Sequence, residues 1–426
     1  VFESPIKIEN RTERIETFYV VQKGRESLLG RDSAIKLKVL KLGMNVNQIN
    51  DVVPFPTITG IKVKLSIDES VEPVRQPVRR VPVGYEAEVE KMIKENFDQG
   101  IIEKVDGFSL WLSPIVVVAK DNGNIRICLD MRMANRAIRR EAFPFPTIDE
   151  IFAKLRGAKY FSRLDLKQAY HQLELDEASR EITTFITHIG IFRYTRLVFG
   201  VNAAPEIFQK EFQSLLSSLS GCINYLDDVI VFGKNEKEHD DNLKAVLKKF
   251  KERNVTLNEK KCSYKLKQLQ FLGHVISDKG IEPDTTKVET ILKFRDPETK
   301  EELRSFLGLV SYLGKFVPDL ATTSAPLWKL TKLNESFVWG VVQKRAFEKL
   351  KNAIGNVSIL SYFDLKAPTR LIVDASPFAL GAVLVQFEDN EVKVISFASR
   401  SLSDVESRYS QTEKEGLACV WAVERF

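Results

Sequence analysis

The segment Asn224-Tyr225-Leu226-Asp227-Asp228-Val229-Ile230-Val231-Phe232 constrains the fold more than any other, because two adjacent acids interrupt an otherwise apolar β-type pattern. A bare Asp-Asp pair is more often a solvated turn. A solvated turn does not need four apolar residues directly behind it, so these carboxylates are expected between buried strands. Held that close, they repel unless something positive neutralises them, and a divalent cation is the natural neutraliser. A further acid, Asp165, stands in similar surroundings at the end of Phe161-Ser162-Arg163-Leu164-Asp165-Leu166. Taken alone it reads more readily as a cap or an ion-pair partner. Taken with Asp227, it could bridge two metals ~3.5–4 Å apart, the arrangement that stabilises attacking and leaving oxygens in an in-line phosphoryl displacement.

The rest of the chain is compatible with such a site and excludes several others. Its 426 residues suggest about three domains of ~150 residues, each able to bury a core. Mean hydropathy is −0.16 and no apolar run approaches the ~18 residues of a membrane helix, so a soluble protein is expected. The N-terminus, Val1-Phe2-Glu3-Ser4-Pro5, lacks the basic-then-apolar pattern of a secretory signal and an initiator Met, which suggests a fragment of something longer. Cys128, Cys222, Cys262 and Cys419 form no Cys-x-x-Cys pair, which argues against a zinc knuckle or disulfide scaffold and for a reducing compartment. With 63 basic and 58 acidic side chains the net charge is only +5, so a polyanionic partner has to be argued from where the charges sit.

The pattern changes along the chain mark its organisation. About 45 residues come first, read as short strands ending in Leu28-Leu29-Gly30-Arg31-Asp32 and a short helix, and Pro54, Pro56, Pro73, Pro77 and Pro82 then mark an extended linker or strap. From Gly84, Val89, Met92, Ile93 and Phe97 follow helical spacing up to a stop at Gly100. Ile115 to Ala119 and Ile125 to Leu129 flank Asp121-Asn122-Gly123-Asn124, which is hairpin chemistry. Strands are expected at Tyr160 to Asp165, Ile182 to Thr187 and Phe192 to Val198, with helices at Pro205 to Leu216 and Glu236 to Arg253. Without a regular βαβ rhythm, this mixture favours an α+β, palm-like sheet over a doubly wound fold. Beyond Pro283 the chain turns helical, with Leu303, Phe306, Leu307, Val310 and Leu313 in register. A new block opens near Thr369 with the buried-strand pattern Leu371-Ile372-Val373-Asp374, and the sequence stops inside the helical pattern Thr412 to Phe426, as though the last domain were cut short.

Three segments in order then carry a resemblance. Phe161 to Gln172 (containing Asp165-Leu166-Lys167-Gln168-Ala169-Tyr170), Phe199-Gly200-Val201-Asn202-Ala203-Ala204-Pro205-Glu206-Ile207-Phe208-Gln209 and Tyr225-Leu226-Asp227-Asp228 resemble the successive palm motifs of reverse transcriptases, in the flavour of gypsy-class LTR retrotransposon polyproteins. The resemblance spans roughly residues 60 to 290 and implies a right-hand polymerase of fingers, palm and thumb, followed by a truncated RNase H-like α/β domain. It implies RNA- or DNA-templated DNA synthesis, with Asp165, Asp227 and Asp228 binding two Mg²⁺, or Mn²⁺ in their place. Tyr170 falls at the family's sugar gate, selecting dNTP over rNTP; read without the family, it is a core aromatic. Phe199, Gly200 and Gln209 would lie against the incoming dNTP. Ser113-Pro114-Ile115-Val116-Val117-Val118-Ala119-Lys120, then Arg126 and Asp130-Met131-Arg132, resembles the fingers hairpin, with Lys120 and Arg126 as triphosphate cations. The tip departs from the family by an extra residue and by lacking consecutive lysines. Phe271-Leu272-Gly273-His274 resembles the hairpin that positions the primer end, although a lone His is more often structural. The clusters Arg75, Arg79, Arg80; Arg132, Arg136, Arg139, Arg140; and Lys260, Lys261, Lys265, Lys267 would track phosphates.

At the ends, Asp374 and Glu415 resemble the first two acids of an RNase H domain. Two carboxylates cannot close a two-metal shell, so no RNase H activity is expected. Leu28-Leu29-Gly30-Arg31-Asp32 resembles the close of a retropepsin-type protease, with no Asp-Thr-Gly or Asp-Ser-Gly triplet before it. The expected domains are a protease remnant at 1–50, a strap at 51–83, fingers and palm at 84–280, a helical thumb at 281–365 and the RNase H-like domain from 366. The expected partners are a primed RNA or DNA template, dNTPs and, outside this sequence, protease and integrase domains, with a dimer left open. Localisation would be cytoplasmic in a virus-like particle, with nuclear access open, and neither secreted nor membrane-bound. The alternative is an inactive or domesticated nucleic-acid-binding remnant.

Overall fold

The computed structural model describes residues 2–6, 14–18, 54–119, 123, 125–388 and 391–426. The chain divides into two compact units, Val1–Pro54 and Phe55–Phe426. In the first, Phe2–Ile6 pairs antiparallel with Arg14–Phe18. The protease-like string Leu28 to Asp32 lies outside the described residues, as does Lys120.

The second unit is built around a four-stranded antiparallel sheet in the order Cys222–Tyr225, Asp228–Gly233, Tyr160–Asp165, Ser263–Leu266. Alternate side chains of a strand face opposite ways. Leu164, Val229 and Val231 therefore join a core with Phe208 and Phe212 of the helix Ala204–Leu216 and Val246 and Phe250 of the helix Glu236–Glu252. Phe161, Ile223 and Ile230, on the other face, join a second core with Phe271, Ile276, Leu303 and Phe306. Burial on both faces is why Val229-Ile230-Val231-Phe232 reads as an unbroken apolar run, each fully buried Val, Ile or Phe contributing roughly 1.5–3 kcal/mol.

A five-stranded sheet flanks this one, in the order Ile102–Lys104, Gly190–Tyr194, Phe185–Thr187, Ser113–Ala119, Ile125–Leu129. The strands expected at Ile182 to Thr187 and Phe192 to Val198 are shorter or shifted, because Glu181–Thr183 closes a 3₁₀ turn before Phe185–Thr187 and pairing of the next strand starts at Gly190. The helix Glu86–Asp98 buries Val89 and Ile93 and is followed by Gly100 at φ 66°, a left-handed conformation that suits Gly. The proline-rich stretch is a pinned strap: Phe55, Ile58, Val63 and Leu65 are buried, and the N–H groups of Ile58 and Asp68 donate to Gln172 and Ala137 carbonyls.

Beyond the central sheet come the hairpin Gln268–Phe271 with His274–Ser277 and the helices Thr285–Leu292, Lys300–Tyr312, Leu320–Leu330 and Val341–Gly355. Leu303, Phe306, Leu307, Val310 and Leu313 are all buried there, as their spacing predicts. Three strands, Thr369–Ala375, Ala379–Glu388 and Glu391–Ser401, then form an antiparallel sheet covered by the helix Gln411–Arg425 through Ala418 and Ala422. Among the described residues no helix is long and apolar enough to cross a membrane.

Candidate active site

The register of the central sheet sets Asp165 directly opposite Asp228. Directly opposed residues of an antiparallel pair lie ~4.5–5.5 Å apart at Cα, so the two carboxylates start from one edge of one face. Tyr225 and Asp228 are themselves register partners, which leaves Leu226 and Asp227 as a two-residue hairpin loop. Leu226 sits at φ 53°. Positive φ at the first loop position is a demand normally met by Gly, and holding another residue there costs on the order of 1–3 kcal/mol. Gln209, wholly buried on the helix Ala204–Leu216, stabilises that conformation: its Oε1 accepts from the Leu226 N–H at 2.8 Å and its Nε2 donates to the Asn224 carbonyl at 3.2 Å. Gln209 is therefore a clamp on the acidic turn, and its expected contact with a nucleotide is corrected accordingly, since no part of it reaches the surface.

Asp228 has a partner that the motif did not reveal. Arg163, two residues before Asp165 and on the same strand face, donates Nε to Oδ1 at 2.9 Å and Nη2 to Oδ2 at 3.1 Å. Burial pushes the Asp228 carboxyl upward, Arg163 opposes this, and Asp227 and Asp165 add to the rise. The donor set is all carboxylate oxygen, which suits a hard divalent cation. Among the described residues, however, no three His, Cys, Asp or Glu side chains form a ready metal cluster.

Tyr170 is buried in the turn Ala169–Gln172, its ring edge-on to Phe199 at 4.4 Å and to Phe208 at 5.3 Å. Burial, with the carboxylates of Asp227 and Glu206 nearby, pushes its hydroxyl up to about 12. Phe199 is exposed, and Gly200 at φ 104° sits over Met131. Asn135 ties this loop down, donating to the Gly200 carbonyl at 2.8 Å and accepting from the Asn202 N–H at 3.0 Å. Arg126 is exposed on the fingers-type hairpin, opposite Val118. Phe271 and His274 are buried, while Leu272 at φ 46° and Gly273 at φ 68° make the hairpin turn. Tyr312 Oη and His274 Nδ1 both donate to the Leu272 carbonyl, at 2.6 and 2.7 Å. His274 is thus a structural imidazole, pushed down to about 4 chiefly by burial.

Several cations expected to track phosphates are engaged within the chain. Arg79 and Arg132 both hold the buried Asp130, Arg139 pairs with Asp68, Arg140 pairs with the buried Glu206, and Lys265 pairs with Glu236 and Asp240. Asp374 is exposed on its strand, and Gln411 bridges the neighbouring Ala375 carbonyl at 2.7 Å to Glu415 Oε1 at 2.8 Å. Sequence reasoning missed Arg163, Asn135, Glu206 and the Gln209 clamp. Only Arg163 carried a local signal, its two-residue spacing from Asp165 on a strand.

Comparison with known proteins agrees with this fold. Residues 118–276 match the family model described as reverse transcriptase (RNA-dependent DNA polymerase), and residues 339–426 match that of the RNase H-like domain found in reverse transcriptase. The Retrovirus-related Pol polyprotein from transposon 412 of Drosophila melanogaster is 37% identical over 349 residues, covering 80% of this chain and 28% of the relative. The Transposon Tf2-3 polyprotein of Schizosaccharomyces pombe is 31% identical over 368 residues, covering 85% of this chain and 27% of the relative. The chain thus spans about a third or less of these relatives' length. Among solved structures, the foamy viral protease-reverse transcriptase in complex with an RNA/DNA hybrid superimposes with a TM-score of 0.74 at 24% identity, over 88% of this chain and 50% of that one. A second foamy viral protease-reverse transcriptase structure, with double-stranded DNA, gives 0.75 at 24% identity over 88% and 64%. The chain belongs to the reverse transcriptases of LTR-retrotransposon Pol polyproteins, with the polymerase fold followed by an RNase H-like domain.

Proposed function

We propose that this chain extends a primer 3′ end with dNTPs on an RNA or DNA template, using Asp165, Asp227 and Asp228 to hold two Mg²⁺ ions. The observation that carries this reading is the pairing of Asp165 against Asp228 with Asp227 in the intervening turn, beside Tyr170 and Phe199. Bound there, the metals would supply Lewis-acid stabilisation of the attacking and leaving oxygens. The chain's own residues do the positioning. The Gln209 clamp and the sheet register fix the acids; Phe199 and Gly200 form a wall for the nucleotide; Tyr170 blocks a 2′-hydroxyl; Arg126, with Lys120, meets the triphosphate. The Phe271 to His274 turn, braced by Tyr312, sets the primer end. Charge stabilisation by fixed groups, rather than covalent chemistry, is the main demand of phosphoryl transfer.

The relatives' association with RNA/DNA hybrid and double-stranded DNA supports a primed duplex as the ligand here too. Asp374 and Glu415 are read as two acids of an RNase H site that cannot complete a two-metal shell by themselves. A cytoplasmic particle is the location this reading carries, supported by the retrotransposon relationship. Primer extension with annealed DNA on RNA and on DNA templates, in Mg²⁺ and in Mn²⁺, tests the reading. Extension by the parent and none by Asp227→Asn is expected, while a folded, duplex-binding parent that extends neither primer contradicts it.

A further inference from the structure

The acidic edge already has one counter-ion of its own. Arg163 and Asp165 share a face of the strand Tyr160–Asp165, and Ile230, the register partner of Arg163, is two residues from Asp228 on the neighbouring strand. The guanidinium thus reaches Asp228 diagonally and covers both its oxygens, with Nη2 also 2.8 Å from Oδ1. The Asp228 side chain is only 22% exposed and that of Arg163 36%. Among the described residues Asp228 is the only acid paired with Arg163. A carboxylate so enclosed, with two other acids beside it, needs a positive neighbour, and an arginine fork satisfies both oxygens at once without ever losing its charge. The same fork takes the oxygens a cation needs, which accords with the lack of a ready three-ligand cluster among the described residues.

We propose that Arg163 is a built-in counter-ion of the acidic edge that a divalent cation displaces from Asp228, so that it sets the cation concentration at which the metal site assembles. The proposal rests on the metal-site reading above. In the absence of cation, Arg163 holds the opposed acids in a folded sheet. On cation binding its half-exposed side chain swings to solvent, and Asp228 turns towards the position shared with Asp165 and Asp227. Removing Arg163 has two opposite effects that simple damage would not combine: the cation-free protein is weakened and the cation binds tighter. Arg163→Lys keeps a charge but loses the fork, so it falls between parent and Arg163→Gln.

The test is Mn²⁺ binding to the full chain, read from the free-Mn²⁺ electron paramagnetic resonance signal, together with melting temperature as a function of Mn²⁺. The parent, Arg163→Gln, Arg163→Lys and Asp165→Asn are compared without nucleic acid or dNTP. Arg163→Gln is expected to bind Mn²⁺ about fivefold tighter, to melt lower without cation and to gain more from it, with Asp165→Asn binding weakly. If Arg163→Gln does not fold without Mn²⁺, Arg163→Lys carries the test and must still bind tighter than the parent. Equal or weaker binding by folded Arg163 variants, with normal binding by the parent, overturns the counter-ion role and leaves the polymerase reading standing. No binding by the parent or any variant overturns both.

Discussion

Gln209 is where a single side chain has most leverage on the acidic turn. Replacing it with Leu leaves the Leu226 N–H without its acceptor, so we expect a stability loss of about 1–2 kcal/mol by urea denaturation. The turn that carries Asp227 would loosen with it, and primer extension should fall roughly tenfold or more, because small misplacements of reacting groups are expensive. Unchanged extension by a folded Gln209→Leu protein would remove the clamp from the account. Asp130 makes a prediction in pH. Arg132, with Arg79 beside it, holds its carboxyl down to about 2. Its contribution is therefore complete above the ordinary Asp value of ~3.9 and is lost as pH falls towards about 2, so Asp130→Asn should flatten acid unfolding in that window. At this scale the sequence showed the acids and hid their partners. Asp165, Asp227 and Asp228 stand out against apolar neighbours, whereas Gln209, Asn135 and Glu206 act through contacts between segments distant in sequence. The same distance hid the pairing of Arg79 with Asp130, whereas Arg132 stands only two residues from that acid.

Among the elements, the junction of the helix Glu236–Glu252 with the central sheet is the most tightly specified. Ser162 Oγ lies 2.8 Å from His239 Nε2 and accepts from the Lys265 N–H, while His239 Nδ1 meets Asp240, which in turn pairs with the Lys265 ammonium. This ring ties the strand of Asp165 to the helix and to the edge strand Ser263–Leu266, where Lys265 has φ 54°. Gly233 permits the approach, since a Cβ there would land on the backbone of His239. His239→Leu should cost about 1–3 kcal/mol by stranding the buried hydroxyl. Gly233→Ala should cost more, because backbone rather than a flexible tip must move, and thermal melting of both variants checks the order. Two histidines, His274 on the Gln268 to Ser277 hairpin and His171 in the turn Ala169–Gln172, make a separate prediction. Burial pushes His274 and His171 down to about 4, so below the ordinary ~6.5 the unfolded chain takes up protons that the folded chain refuses. Stability should fall as pH drops from ~6.5 through about 4, and less so in His274→Gln. Element type was legible wherever one period persisted, as in Tyr160–Asp165 and Lys300–Tyr312. It failed at Ile182, where a 3₁₀ turn hydrogen-bonded through Thr183 replaces the start of a strand.

For the whole second unit, the central sheet buried on both faces explains how one fold can hold three acids at an edge. The helices behind Leu164 and Val229 and the packing around Phe161 and Ile230 are separate cores on the two faces of these strands. Ile230→Ala should therefore cost about 2–5 kcal/mol and disturb both sides. Because several arginines are already paired internally, the salt dependence of duplex binding should be shallower than the count of basic residues suggests, each phosphate contact contributing ~0.9 to the log–log slope. The most direct test of the central claim is incorporation of a single dNTP on a saturating primed RNA template, with duplex binding measured alongside. The account predicts incorporation by the parent and preference for dNTP over rNTP. It also predicts a loss of roughly a thousandfold or more in Asp165→Asn and Asp227→Asn with duplex binding nearly unchanged. A parent that binds the duplex yet incorporates nothing in either Mg²⁺ or Mn²⁺, or an Asp227→Asn variant that matches it, would contradict the account.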